Sequence, residues 1–329
     1  MDTYNPTTLT AAVKRIAEKD TGLLGLIFNR VVTHKTKTIS TDIDENLPPV
    51  APLISDVENG VVLKDDSFET RTITPAFSRV KKDIDYSKAI ARIPGQGLDQ
   101  AQDNTQYLKA SALKTGKESI LTRLKVMAAQ ALFAGEISYS DEKGRTYNVD
   151  FQRHADLSTS AVWAEDFGMT EHLESCADEI RAKTGSNANT LILGSAAWSK
   201  FRKNAEVKDS LETRRGSASA IETACSTDGN LRHVGTFGDL DIIVYSEQYT
   251  ENGTSKPILQ ADAAILLNIQ DVMGVRHFGS LMTKEGLVTT DFLAKEVYEE
   301  EQSRTWMIVE SRPVVVPHRI NATFAITVG

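Results

Sequence analysis

The sequence is poor in cysteine, in long apolar runs and in export signals. Its 329 residues include only two cysteines, Cys176 and Cys225. They lie far apart without a metal-ligand spacing, so a reducing compartment is favoured and a disulfide is not expected. The longest apolar run, from Leu23 to Phe28, is far shorter than the roughly 18 residues of a membrane span, and the N-terminus lacks a basic-then-apolar export pattern. We therefore expect a cytoplasmic protein with no membrane partner.

Positive charge is also scarce. Lysine and arginine together number 37 against 45 acidic residues, which gives a formal net charge of −8, and the basic residues are scattered. A protein that grips nucleic acid usually presents a basic face, and this pattern does not indicate one. With 40% hydrophobic residues, the chain can bury a substantial core and is expected to divide into two or more lobes.

Motifs for catalysis, cofactors and metals are missing as well. Gly95-Gln96-Gly97 lacks the third glycine of a dinucleotide loop, and no phosphate loop, zinc-protease helix or nucleophile elbow occurs. The six histidines are isolated from one another in sequence, so each is predicted to be structural, and Cys176 is predicted to be a small core residue. We predict no catalytic residue, cofactor or metal, and read three acidic pairs as solvated carboxylates: Asp42/Asp44, Asp83/Asp85 and Asp239/Asp241.

One long helix is predicted from Asp99 to Ala134. Apolar residues recur there at three- and four-residue steps, which gives one apolar stripe and places Lys117 and Lys125 on other faces. Gly135 is predicted to end the helix. Gly116 costs about 1 kcal/mol relative to alanine and is the point at which the helix could split. The stripe comprises Leu113, Ile120, Leu121, Leu124, Met127, Ala128, Ala131 and Leu132.

Two extended segments precede this helix. Residues 1–55 have little core of their own beyond a short helix from Thr8 to Lys19, so they are predicted to form an arm along their own body or along a neighbour. Between residues 61 and 93 the polarity alternates with a period of two, with Pro75 near a reversal, which predicts a long β-ribbon. A ribbon this polar is expected to rest on another surface, such as that of another copy of the chain. The alternative is an ordinary surface hairpin of a monomer.

The remainder of the chain reads as a hairpin, an α/β passage and a strand-rich end. The hairpin joins residues 136–140 to 146–151, and the α/β passage follows, with Ser195 predicted to cap its second helix. The passage comprises helices at 165–183 and 195–204 and strands at 190–194 and 240–246. The end comprises strands at 287–292, 305–310, 314–317 and 322–328.

An ordered series of short motifs between Leu211 and Leu267 carries a family resemblance. It runs from Leu211-Glu212-Thr213-Arg214-Arg215-Gly216-Ser217 through Glu222-Thr223-Ala224 and Gly235-Thr236-Phe237-Gly238-Asp239 to Gln248-Tyr249-Thr250-Glu251-Asn252-Gly253. In order and spacing this series resembles the capsid protein E family, the major capsid proteins of lambda-like tailed phages, whose fold is of the Hong Kong 97 type. Weaker similarity reaches back through the ribbon.

The resemblance implies an α+β fold of Hong Kong 97 type in five parts. It also implies a structural protein that self-assembles as hexamers and pentamers into an icosahedral head around double-stranded DNA, without sequence-specific DNA binding. The implied parts are an N-terminal arm at 1–55, an extended loop at 56–97, a spine helix and first part of a peripheral domain at 98–158, an axial domain at 159–270, and a return to the peripheral domain at 271–329.

The implied partners are a separate scaffold, a portal and a decoration protein, and the implied location is the virion, with assembly in the host cytoplasm. A negative chain agrees with a shell wall that must not adhere to packaged DNA. Nothing in the sequence identifies a lysine–asparagine cross-link. Two alternatives stay open: an encapsulin-like shell around an enzyme cargo, and a cytosolic α/β enzyme with a concave site.

Candidate residues for subunit contacts lie in the ribbon and in the Arg214-Arg215 pair. One of these two arginines is predicted to reach a carboxylate of the next copy, since the guanidinium fork suits interface pairs; the alternative is a solvent-facing loop. The full candidate set is Phe68, Arg71, Phe77, Lys81, Lys82, Arg214 and Arg215.

Overall fold

The structure is a computed structural model that describes residues 6–18, 22–43, 69–85, 105–140, 146–215, 230–251, 253–283, 286–301 and 304–329. Within these ranges the α-helices are α1 (Pro6–Arg15), α2 (Leu23–Leu26), α3 (Thr105–Ala134), α4 (Met169–Thr184), α5 (Ser195–Phe201) and α6 (Ala205–Arg215). No helix in these ranges is long and apolar enough to cross a bilayer.

The strands of the described residues fall into small sheets and one sheet of six. They are β1 (Arg30–Thr33), β2 (Ile39–Ile43), β3 (Glu69–Ile73), β4 (Ser78–Ile84), β5 (Glu136–Ser140), β6 (Thr146–Asp150), β7 (Ser158–Ala161), β8 (Thr190–Leu193), β9 (Leu231–Phe237), β10 (Leu240–Tyr245), β11 (Gln248–Glu251), β12 (Thr254–Pro257), β13 (Ala263–Leu267), β14 (Gly274–Phe278), β15 (Leu281–Thr283), β16 (Gly286–Val288), β17 (Leu293–Glu299), β18 (Arg304–Ser311), β19 (Pro313–Pro317) and β20 (Thr323–Val328).

The predicted long helix is α3, which has 30 residues and is therefore about 45 Å long. It is continuous through Gly116, which is buried against β18: a Cβ atom there would lie 2.7 Å from Val309 Cγ2. Gly135 follows the helix with φ +74°, as predicted for a residue that ends it. The predicted start at Asp99 lies outside the described residues.

The two faces of one sheet each border a separate apolar core. The six-stranded sheet has the order β7-β20-β13-β8-β10-β9, and alternate side chains of its strands point to opposite faces. Ile192 and Ile265 therefore join the helix core around α3, whereas Leu191 and Leu266 join the sheet core around α4 and α5. The helix core also includes Leu9, Phe28, Ile120, Leu124 and Val316, and the sheet core Leu173, Ile180, Phe201 and Phe324.

The described part of the predicted arm lies along its own body, one of the two alternatives that the sequence left open. Helix α1 buries Leu9 and Val13 in the helix core. The Ala294 N–H of β17 donates to Thr10 Oγ1 at 3.1 Å. Further along, β1 pairs in parallel with β14. These contacts attach the N-terminal segment to the C-terminal third of the chain.

The predicted ribbon is wrong in its pairing. Strand β3 pairs with β2 and β4 pairs with β18, so within the described residues the two strands flanking Pro75 belong to different sheets. The alternation of polar and apolar residues correctly predicted two strands. Such alternation specifies which face of a strand is buried, but it does not specify the neighbouring strand. The partners are supplied by residues 39–43 and 304–311, which the alternation does not reveal.

The α/β passage keeps its predicted order with shifted ends. Helix α4 begins at Met169 and ends before Gly185, which has φ +69°. Ser195 does not cap α5; the N-cap is Gly194, where a Cβ atom would lie 2.3 Å from the Gln260 carbonyl oxygen. The second predicted helix ends early, at Phe201. Asn204 Oδ1 accepts the Glu206 N–H at 3.0 Å and so caps the start of α6, which was not predicted.

The hairpin and three strands near the C-terminus are confirmed. Strands β5 and β6 pair antiparallel, and β18, β19 and β20 match the predicted strands within two residues at either end. The predicted strand at 287–292 is wrong, because β16 ends at Val288 and β17 begins at Leu293. The five-part division stays a prediction, although β20 lies beside β13, so one sheet crosses the predicted boundary at residue 270.

Candidate subunit interface

A basic, partly apolar surface lies where β4 begins. Phe77 immediately precedes β4 and is 43% exposed. The Arg79 guanidinium carbon lies 4.9 Å from the centroid of its ring, and that of Arg312 lies 5.7 Å from it. Cations over an aromatic face are attracted by the ring quadrupole. We call this surface, with the exposed Lys81 of the same strand, the basic patch (Phe77, Arg79, Lys81 and Arg312).

The basic patch is fixed to the body through a buried carboxylate. Glu310 of β18 has a side chain that is only 2% exposed, and its Oε1 accepts Arg79 Nε at 2.7 Å and Lys295 Nζ at 2.7 Å. Arg79 lies opposite Glu310 in the β4–β18 register. Two cations therefore share one carboxylate at this position of the sheet. Arg312 Nε is buried without a hydrogen-bond partner in the described part of the chain.

The predicted candidates fall on different surfaces. Along β4, Arg79 and Lys81 are exposed, whereas Lys82 points the other way and donates to Thr115 Oγ1 of α3 at 3.1 Å. Lys81 thus lies on the same exposed face of β4 as Arg79, which contacts Phe77, whereas Lys82 lies on the opposite face.

The other candidates are not brought to the basic patch. Phe68 lies outside the described residues, and Arg71 is placed only as a backbone position of β3, opposite Thr41. Arg214 and Arg215 are the last residues of α6, a helix that packs beside α4. They are placed here only as backbone positions.

Sequence reasoning missed Arg79, Arg312 and Glu310. The alternation of charge at 79, 81 and 83 was a usable signal for the exposed face of β4. The contribution of Arg312 had no local signal, because it reaches Phe77 across more than two hundred residues of sequence. Exposed apolar side chains mark interaction surfaces when they cluster. Val297 and Tyr298 of β17 are also exposed, but as successive residues of a strand they lie on opposite faces of the sheet.

Three lysines of α3 are buried, which overturns the predicted placement of Lys117 and Lys125 away from the apolar stripe. Lys109, Lys117 and Lys125 follow one another at eight-residue steps and are at most 7% exposed. Their amines reach Glu296 at 2.8 Å, the Ile16 carbonyl oxygen at 2.6 Å and Glu247 at 2.6 Å. Burial of an ammonium is tolerated when it is paired. These bonds connect α3 to β17, to the residue that follows α1 and to the two-residue connection between β10 and β11.

Nucleophilic side chains, metal-binding side chains and cavities are the alternative kinds of functional site among the described residues. Cys176 is buried, and this raises the pKa of its thiol to about 12, which agrees with its predicted role as a core residue. In the described ranges no three His, Cys, Asp or Glu side chains are placed to hold a metal ion. A cavity of about 320 Å³ between α1, α2 and α3 is lined in part by Lys117 and Lys125, whose amines are already bonded.

Comparison with known proteins gives one consistent result. A family model described as phage major capsid protein E matches residues 5–328. The major capsid proteins of Escherichia phage lambda and Escherichia phage N15 are each 24% identical, over 329 and 333 residues, with 96% of both chains covered. The crystal structure of a protein described as a capsid protein of an Escherichia coli CFT073 prophage has a TM-score of 0.76 at 23% identity and covers 99% of both chains. The predicted α+β fold of Hong Kong 97 type is confirmed.

Proposed function

Because this chain belongs to the phage major capsid protein E family, we propose that copies of it assemble into the icosahedral head shell that encloses a phage's double-stranded DNA. The observation that carries the proposal is the coverage: both the sequence match and the fold extend over almost the whole chain. The family indicates a structural role, and we propose that the chain has no enzymatic activity.

The basic patch has the residue types of a contact between copies. It combines an exposed aromatic ring, two guanidinium groups and an exposed lysine, the residue types that are enriched or effective where proteins meet. The chain as a whole has a net charge of −8, so a neighbouring copy offers many carboxylates. We propose that the basic patch binds an acidic segment of an adjacent subunit.

The patch is suited to this role because its charge is held in place. Glu310 orients Arg79 by a 2.7 Å bond, and Phe77 lies beneath the guanidinium groups. A rigid donor loses less entropy on binding than a free one. Each such contact is weak, and a closed lattice adds many of them.

Partners beyond the chain itself remain part of the proposal. A separate scaffold, a portal and a decoration protein would complete the particle, with hexamers and pentamers formed in the host cytoplasm before the chain becomes part of the virion.

The direct test is to image the purified chain by negative stain, alone and together with a scaffold from the same genome. Closed shells support the proposal. Shells that contain nucleic acid separate a phage head from a shell loaded with an enzyme, which would contain protein instead. A uniformly monomeric protein in both preparations, with binding of a small molecule, would contradict the proposal and favour the enzyme alternative.

A further inference from the structure

We propose that His34, His277 and His318 form an acid-sensitive latch that holds strand β1 of the N-terminal segment on the C-terminal sheet. The three residues are far apart in sequence but come from adjacent strands of the sheet with the order β1-β14-β19. His277 lies within β14, His34 directly follows β1, and His318 directly follows β19. The proposal concerns the folded subunit and does not depend on shell assembly.

The central contact is a hydrogen bond between two histidine rings. His34 Nε2 lies 2.8 Å from His277 Nδ1, and the His277 ring lies 5.8 Å from the His318 ring, centroid to centroid. A bond between two ring nitrogens needs one proton between them. Once both rings are fully protonated, each of these nitrogens carries a hydrogen and a positive charge, so the attraction becomes a repulsion.

The surroundings oppose a positive charge at this place. Burial, together with the neighbouring His34, His318 and Arg30, lowers the pKa of His277 to about 4; burial also lowers the pKa of His34. His277 Nε2 is buried and has no hydrogen-bond partner among the residues that the structure describes. A proton added to His277 Nε2 would therefore have no hydrogen-bond acceptor among the described residues.

The charged groups on the packed elements are mostly cationic. Arg30 comes from β1, and Arg276 precedes His277 in β14 and is paired with Glu18 at 2.9 Å. Arg312, just before β19, packs against Gly279 after β14, and the exposed Lys35 and Lys37 follow His34. Helix α2 contributes only Leu-Leu-Gly-Leu. Glu18 is the carboxylate beside β14, and it is already paired with Arg276. It is therefore not free to pair with a protonated histidine.

Strand β1 is the element that repulsion would release. It is an edge strand with a four-residue parallel ladder to β14, and its Val31 is 45% exposed. The preceding Phe28 is fully buried against Gly274, which anchors the chain before the strand. Acid should therefore detach β1 and leave α2 in place, exposing the backbone edge of β14 to another strand.

The sign of the pH dependence follows from the lowered pKa. The released state has ordinary histidines with pKa near 6.5, so it binds more protons than the latched state between about pH 6.5 and about pH 4. The latch is therefore fully formed above the ordinary histidine pKa and is lost as the pH falls toward that of His277. Each group changes the ratio of latched to released protein by up to about tenfold per pH unit in this window.

The test is hydrogen exchange by mass spectrometry on the purified 329-residue chain at about pH 7 and about pH 5, corrected for the intrinsic exchange rate. We expect the protection of peptides covering 30–34 to fall by at least about tenfold, while that of β8 in the six-stranded sheet stays unchanged. His277→Gln should remove most of this pH dependence, and His34→Gln should reduce it, since His277 then stays buried but loses the neighbouring ring. If His277→Gln does not fold, the half-buried His34 provides the second variant.

His172→Gln is the matched control, because His172 also has a pKa lowered by burial but lies on α4, a helix that packs against β20 of the six-stranded sheet. It should behave as the unsubstituted protein does. The latch is refuted if β1 stays equally protected at both pH values, if β8 loses protection in step with β1, or if His34→Gln retains the full pH dependence.

Discussion

Gly116 of α3 and Val309 of β18 approach so closely that a Cβ atom on the glycine would lie 2.7 Å from Val309 Cγ2 and 3.0 Å from Val309 Cβ. This contact explains a glycine in the middle of a 30-residue helix. Glycine is unfavourable in a helix, but only a residue without a side chain lets the strand lie against the helix at this distance. The glycine therefore marks a packing contact and not the break that the sequence suggested.

Gly116→Ala tests this contact. Alanine is about 1 kcal/mol better than glycine within a helix, yet overpacking a core costs about 1–3 kcal/mol, so the free energy of unfolding should fall or at best stay level. Urea unfolding measures it. Ser119→Ala, at an exposed position of the same helix, should change stability by less than about 0.5 kcal/mol.

The double variant with Val309→Ala provides the decisive comparison. Removing the valine methyl groups makes room for the alanine, so the two substitutions should be less harmful together than the sum of their separate effects, by about 1 kcal/mol or more. Strictly additive effects would show that the contact does not limit the residue at position 116.

Glu310→Gln tests the buried carboxylate that fixes the basic patch. The glutamine keeps the shape but leaves Arg79 and Lys295 without their common anion. Removing one partner of a buried ion pair costs about 3–5 kcal/mol, and partial exposure of both cations should reduce this to about 2–3 kcal/mol. Asp83→Asn, on the exposed face of β4, should be nearly neutral in the same urea unfolding experiment.

Lys81→Glu tests the basic patch as a subunit contact. Reversing an exposed charge should leave the free energy of unfolding within about 0.5 kcal/mol of its original value, whereas shell yield in negative-stain images should fall several-fold because like charges then meet across the interface. Lys203→Glu makes the same charge change at an exposed position after α5 and should assemble normally. Equal yields for the two variants would exclude the basic patch from the interface.

Arg215→Ala tests the second predicted contact, at the end of α6. If the arginine reaches a carboxylate of the next copy, capsomers should form poorly while circular dichroism and urea unfolding of the subunit are unchanged. Arg202→Ala, exposed at the end of α5, serves as the control. If Arg215→Ala gives the same yield of capsomers as the unsubstituted protein, the predicted contact is wrong.

The ribbon shows how an interpretation from sequence can mislead an experiment. If residues 67–82 formed a free surface hairpin, deleting them would leave a folded subunit. In the structure Ile73 belongs to the helix core and β4 pairs along seven residues with β18. The deletion should therefore destabilise the subunit itself, so single substitutions at exposed positions are the informative variants.

Local order was determined by the sequence alone. The apolar stripe of α3, the hairpin of β5 and β6, the buried run of β8 and the glycines that end α3 and α4 follow from periodicity and backbone preferences, which act within a few residues. The ordered motifs between Leu211 and Leu267 also identified the family, because such a series reflects shared descent more specifically than any single element does.

The tertiary structure decided which distant segments meet. The pairing of β4 with β18, the meeting of Phe77 with Arg312 and the bond between His34 and His277, 243 residues apart, have no local signal. Periodicity encodes the conformation of a segment and the face that it buries, whereas its partner is selected by the packing of the whole chain. The buried lysines of α3 make the same point, since a lysine becomes a core residue only when a distant carboxylate or carbonyl group is placed to receive it.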